Sequence, residues 1–176
     1  GMVFGCDPDG TRRVVSAVRK VTSLPLIVKL TPNVTDIVSI VRVAVDAGAD
    51  ILSLVNTFLG IAVDVARRGV VLGNGVGGVS GPAIKPQALY LVHRVCRELQ
   101  VPVIGMGGIM NVNDALEFML VGARAIQIGT ANFVDPASSV KILDGLSEAL
   151  DRMGLEDVNE IVGALKTDGP SQDFST

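Results

Sequence analysis

A chain of 176 residues is long enough for one domain with a real core, yet a closed (β/α)8 barrel takes roughly 250 residues and seldom fewer than about 200. Its 48% hydrophobic, 19% charged and 3% aromatic content is that of a buried parallel sheet covered by aliphatic helices. A net charge of −3 with no tryptophan and one tyrosine argues against nucleic-acid and polyanion binding, and two cysteines argue against a disulfide framework or a metal cluster.

The first element is a helix over 7–22, with Asp7 as cap, Pro8 at the first turn and an apolar stripe of Val14, Val15, Val18 and Val21. Residues 25–30 (PLIVKL) form a buried strand interrupted only by Lys29. A helix over 35–47 turns Ile37, Ile40, Val41 and Ala44 inward and stops at Gly48; a strand over 51–55 then delivers Asn56 and Thr57. The long excursion over 58–80 carries two apolar segments flanking Arg67-Arg68-Gly69, which predicts a hairpin with a solvated tip. A helix follows from Lys85-Pro86 to about Leu99, facing Leu89, Val92, Val95 and Cys96 inward. Strand 102–105, helix 112–121, strand 125–128 and helix 136–153 come next, with Asn111, Gly122, Asp135-Pro136 and Gly154 as start and stop signals. A short helix over 155–165 leads to a polar tail, 167–176, expected to be disordered. No apolar run has transmembrane length and no signal peptide opens the chain, so a soluble cytoplasmic protein is the expectation.

Four parallel strands, each followed by a helix, amount to half of a (β/α)8 barrel, and a chain starting on a helix looks like one missing its beginning. The rival architecture is a small doubly wound sheet, whose phosphate turn follows the first strand. Here the phosphate-type turns come late. Residues 103–109 read VIGMGGI, a strand running into paired glycines, with a helix starting a few residues on. Bare backbone there admits a phosphate closely, and turn amides with a helix N-terminus favour an anion. Gly129-Thr130 repeats the arrangement after the next strand, matching the phosphate grip built after strands seven and eight of many such barrels.

The segments VKLTPNVTDI (28–37), LVNT (54–57), GGVSGPAIKP (77–86), the glycine pattern from Val103 to Ala123, and GTANF (129–133) together resemble dihydroorotate dehydrogenase. They are most similar to the FMN-bearing catalytic subunit of the NAD-linked, two-subunit class, over residues 2–167. The resemblance implies the C-terminal half of an FMN-binding (β/α)8 barrel over 1–166. It implies flavin-dependent oxidation of dihydroorotate to orotate in pyrimidine (UMP) biosynthesis. Electrons would pass to NAD through a partner subunit with FAD and a [2Fe–2S] cluster, in a heterotetramer built on a homodimer of catalytic subunits. The family's catalytic cysteine and several substrate asparagines lie before the segment that Gly1 begins, so no catalytic base is expected here, and the isolated piece is expected to be inactive.

Weighed singly, Lys29 is either a rim lysine with a snorkelling stem or a cation at the flavin edge where negative charge appears on reduction; the resemblance favours the flavin. Asn56-Thr57 is ordinary turn material, yet an amide offers the donor and acceptor that a pyrimidine edge needs. The resemblance implies substrate contact for both, and flavin contact for Val55 and Gly81. It implies that Gly107, Gly108, Gly129 and Thr130 hold the FMN phosphate. Cys6 reads as a small packing residue and His93 as a helix-surface residue. Two other readings stay open: a dihydropyrimidine dehydrogenase subunit, and a non-catalytic remnant that binds only FMN or a phosphate.

Overall fold

The computed structural model describes residues 2–166. In chain order its elements are α1 (Met2–Gly5), α2 (Pro8–Arg19), β1 (Ile27–Lys29), α3 (Ile37–Asp46), β2 (Ile51–Leu54), β3 (Phe58–Gly60), β4 (Val63–Asp64), β5 (Gly69–Val70) and β6 (Gly77–Val79). After a 3-10 turn at Pro82–Ile84 come α4 (Lys85–Glu98), β7 (Val103–Met106), α5 (Val112–Leu120), β8 (Ala125–Gln127), α6 (Ala131–Val134) and α7 (Ser138–Met153), then a second 3-10 turn at Val158–Glu160.

The strands β1, β2, β7 and β8 make one parallel sheet in that order. Lys29 lies beside Ser53, Ser53 beside Ile104, and Ile104 beside Ala125, so these four share one face. The opposite face carries Leu52, Leu54 and Val103, all essentially inaccessible, and packs under the helices against Val41, Ala44, Val92, Val95, Ala115 and Phe118. Close approach is built into it, because a Cβ at Gly105 would lie 2.6 Å from the Phe118 ring. The periodicity of α3 is met in full: Ile37, Ile40, Val41 and Ala44 are buried. The helix starts at Ile37 rather than at residue 35, and Asp36 caps it by accepting from the amides of Val38 and Ser39.

Helix caps near the site follow the sequence. Asp7 accepts from the Gly10 amide at 2.7 Å, and Asn111 and Asp114 form a reciprocal capping box at the start of α5. Gly154 ends α7 in the left-handed conformation, φ 68°.

Several expectations are corrected. The first helix is shorter than 7–22 and is preceded by α1; of its valine stripe only Val15 is buried, with Val21 83% exposed beyond the helix end. The strand within 25–30 is not a buried one. It forms a sheet edge with Ile27 half exposed, since among the described residues no further strand lies on its outer side. The excursion does contain the expected hairpin, β4 with β5, but a second antiparallel pair, β3 with β6, encloses it. The helix over 136–153 is one helix, α7, that starts two residues late, at Ser138, and a short helix not expected, α6, precedes it; between the two the Asp135 carboxylate accepts from the Ala137 amide at 3.0 Å. Over 155–165 the structure has a 3-10 turn capped by Asp157 rather than a helix. The tail over 167–176 lies outside the described residues. No described helix is long and apolar enough to cross a membrane.

Candidate functional site

At the C-terminal ends of the four parallel strands, one cleft of about 220 Å³ brings together all nine residues expected at the site: Lys29, Val55, Asn56, Thr57, Gly81, Gly107, Gly108, Gly129 and Thr130. Complete small-molecule sites run from about 300 to 1,000 Å³, so the space is that of part of a site. A larger hollow of about 620 Å³ lies at the opposite strand ends, near Pro102 and Arg124. It borders the end of the described residues and gathers none of these nine.

The anion-accepting part is built from glycines. Gly107 and Gly108 have φ of 128° and 79°, a region that side chains avoid. A Cβ at Gly108 would stand 2.8 Å from the Gly81 carbonyl oxygen and 3.0 Å from the Lys85 amide nitrogen. The β7–α5 turn therefore sits directly against the 3-10 turn before α4. Among the described residues, no protein acceptor takes the amides of Gly107, Gly108, Gly129 or Thr130. Four amides without protein partners on two facing turns suit a multiply charged oxyanion. Thr130 donates its hydroxyl proton to Ser80 Oγ at 2.9 Å, tying the turn after β8 to the segment between β6 and the 3-10 turn and leaving the Ser80 hydroxyl proton and the Thr130 amide for a ligand.

The start of α5 is partly occupied: the Asp114 carboxylate accepts from the Met110 amide at 2.8 Å and the Asn111 amide at 3.2 Å, and Asn111 Oδ1 takes the Asp114 amide, while the Val112 and Asn113 amides have no acceptor among the described residues. A buried carboxylate beside an anion site would repel its ligand. Lys85 counters it, with Nζ 2.6 Å from Asp114 and 2.7 Å from Glu117. Those two hydrogen bonds, Asp114 first, raise the Lys85 pKa. Lys85 is thus committed to the loop's support rather than to a ligand.

Lys29 is different. Among the described residues its ammonium has neither an ion-pair nor a hydrogen-bond partner, and it is exposed at the edge strand. Among the described residues no carboxylate lines the cleft, and Lys29 is its one charged group. After the neighbouring strand β2, Asn56 Oδ1 accepts from the Thr57 amide at 2.8 Å, which fixes the side chain and leaves the Asn56 amide nitrogen as a donor. Sequence reasoning missed Asn33. Its Nδ2 donates to the Thr57 carbonyl at 3.0 Å, and its Oδ1 accepts from the Leu59 amide at 3.0 Å, so it positions the turn carrying Asn56 and Thr57. The Thr-Pro-Asn turn after β1 was the available signal. Ser53, Met106, Gln127 and Phe133 were missed as well, although Met106, Gln127 and Phe133 line the cleft.

Two other residues depart from or refine the sequence reading. Cys6 is not packed inside but exposed, with its thiol donating to the Asn33 carbonyl at 3.4 Å. His93 is half-buried on α4, and burial, helped by Arg97, lowers its pKa. Among the described residues no cluster of His, Cys, Asp and Glu could hold a metal ion.

Fold and cleft together define a class: a parallel α/β protein whose described residues leave amides without protein acceptors in a cleft at the carboxyl ends of its strands. The dihydroorotate dehydrogenase family model matches residues 1–150. A protein of Geotalea uraniireducens named dihydroorotate dehydrogenase B (NAD(+)), catalytic subunit, is 54% identical over 167 residues, covering 95% of this chain and 55% of that protein. Proteins of the same name from Bacteroides thetaiotaomicron (54% over 166 residues, 94% and 55% covered) and Alkaliphilus oremlandii (52% over 165 residues, 94% and 55% covered) are similarly close. The chain belongs to the dihydroorotate dehydrogenase family, and it spans about half the length of the curated relatives it matches.

Proposed function

We propose that this chain supplies the FMN-binding half of a (β/α)8 barrel that oxidises dihydroorotate to orotate. The observation carrying this reading is the convergence, on one cleft, of four amides without protein acceptors and one unpaired lysine, with no carboxylate among them. The residues fit the cofactor. Gly107, Gly108, Gly129 and Thr130 would hold its phosphate through backbone amides, a contact that needs bare backbone at the paired glycines. Gly81 and Val55 would line its ring and ribityl chain. The bound flavin supplies the hydride acceptor. Lys29 places a fixed positive charge where an anion develops, and Asn56 and Thr57 orient the pyrimidine edge by hydrogen bonds.

The base that removes a substrate proton is not among the cleft residues, which contain no cysteine, histidine or carboxylate. The remaining length of the relatives would supply it, and on this reading the chain alone does not turn over. The relatives' printed name, a catalytic subunit of an NAD(+) enzyme, supports a second subunit that conducts electrons to NAD. We assign to that partner the FAD and the [2Fe–2S] cluster, with catalytic subunits paired as a homodimer and the assembly in the cytoplasm.

The test is FMN binding to the 176-residue chain, followed by quenching of flavin fluorescence, with riboflavin as comparison. Tight FMN binding and much weaker riboflavin binding are expected. A polypeptide of the relatives' full length should in addition lose its oxidised flavin absorbance when mixed anaerobically with dihydroorotate. Equal binding of FMN and riboflavin, or no binding of either, overturns the reading.

A further inference from the structure

Below the mouth of the cleft lies a polar contact that the phosphate grip does not use. Ser53, on β2, has its hydroxyl 2.6 Å from Gln127 Oε1, on β8, and 3.2 Å from Met106 Sδ, on the strand between them. The register puts these side chains on the face that carries Lys29. Ser53 is the partner of Lys29, and Gln127 follows by two positions Ala125, which lies in the same row through Ile104. Ser53 is 2% exposed. A buried hydroxyl has one proton, and the 2.6 Å contact to an oxygen is where it is best used.

With its carbonyl oxygen engaged by Ser53, the Gln127 side chain has its orientation set. Its NH2 group then carries two donors with no acceptor among the described residues, and Gln127 lines the cleft. It is the last residue of β8, two positions before the Gly129-Thr130 turn, in the same cleft as the Lys29 ammonium. In a cleft with no carboxylate, two sets of unpartnered donors demand an acceptor-rich occupant.

We propose that Gln127 is a cofactor-contacting residue whose amide donates to a carbonyl or nitrogen acceptor of the flavin ring, and that Ser53 is the positioning residue that aims it. The inference rests on the flavin reading above. A neutral donor beside Lys29 strengthens binding of the reduced, electron-rich ring more than the oxidised one, so it raises the midpoint potential.

The experiment measures FMN content and the midpoint potential of bound FMN in the FMN-loaded protein and in Gln127→Glu, Gln127→Leu and Ser53→Ala. Glutamate keeps the shape and the acceptor for Ser53 but replaces the donors with charge. Gln127→Leu should lose about tenfold in preference for the reduced flavin, about 30 mV downward for a two-electron couple. Gln127→Glu should fall further. Ser53→Ala should shift the potential in the same direction, and that shift should vanish when it is combined with Gln127→Leu, which a merely structural role would not produce. Equal potentials in the parent, Gln127→Leu and Gln127→Glu overturn the inference while the flavin reading stands. A parent protein that takes up no FMN overturns both.

Discussion

Gly129→Val separates a ligand's requirement for bare backbone from the protein's own. At Gly129 an added Cβ meets no heavy atom within 4 Å, and the backbone is outside the left-handed region. The folded protein should therefore accept valine within about 0.5 kcal/mol, the usual range for an unconstrained surface change. Gly108→Ala is the contrasting case. Its φ of 79° and the 2.8 Å approach to the Gly81 carbonyl make it costly to the protein itself, ligand or none. The left-handed conformation alone costs about 1–2 kcal/mol for a residue with a Cβ. For FMN the two should converge. Each hydrogen bond to a charged group contributes about 1.5–3 kcal/mol, so losing one or two to a displaced phosphate weakens binding by about 3 kcal/mol, beyond a hundredfold in Kd. The assay is FMN titration by fluorescence quenching, with urea midpoints measured on the same preparations and riboflavin as a phosphate-free control. Gly129→Val should melt like the parent, lose FMN affinity and leave riboflavin nearly unaffected. A folded Gly129→Val with unchanged FMN affinity would refute the phosphate assignment at this turn.

Lys29→Ala should leave FMN bound and slow its reduction by dihydroorotate about tenfold in the full-length protein, about 1.4 kcal/mol for one partly screened charge; stopped-flow absorbance measures it. Lys85→Met should destabilise the fold by about 1.5–3 kcal/mol at neutral pH, because it leaves the largely buried Asp114 carboxylate without its cation. Since the Lys85 pKa is raised above 10.5 in the folded state, that contribution is complete below this pH and disappears as pH rises through the folded value. Denaturant midpoints should therefore converge for parent and variant in strong alkali. Burial holds the Cys96 thiol at about 11, so alkylation at mildly alkaline pH should label the exposed Cys6 and spare Cys96 until the protein unfolds; mass spectrometry of peptides decides it. The chain alone should self-associate, because β1, with Ile27 50% exposed, and β8 are sheet edges without a further partner strand among the described residues, and Phe133 and Val134 of α6 are 93% and 73% exposed. A compact monomer with a cooperative melt in sedimentation and calorimetry would contradict this.

Local chemistry explains what was legible without coordinates. The apolar spacing of α3, the Asn111 capping signal, the Gly154 stop and the strand-to-glycine turns act within a few residues of one another, so the chain states them directly. The glycine turns after β7 and β8 were legible for the same reason, whereas Lys29, Val55, Asn56, Thr57 and Gly81 were assigned through the family resemblance, since alone they read as a rim lysine and turn material. Neighbours distant in sequence were not legible. Val14 and Val18 carry the pattern of buried residues but lie partly exposed, because periodicity specifies a face and not whether anything covers it. Asn33 and Thr57, Lys85 and Asp114, and Ser53 and Gln127 meet across 24, 29 and 74 residues. The Asp114 carboxylate, the capping-box partner of Asn111, also takes the Met110 amide and an ion pair from Lys85, which the spacing of Asn111 and Asp114 alone does not state. Periodicity and turn chemistry are properties of neighbouring residues and survive in the sequence. Which donors stay free for a ligand depends on every acceptor the folded chain brings within 3 Å or so, and only tertiary structure decides that.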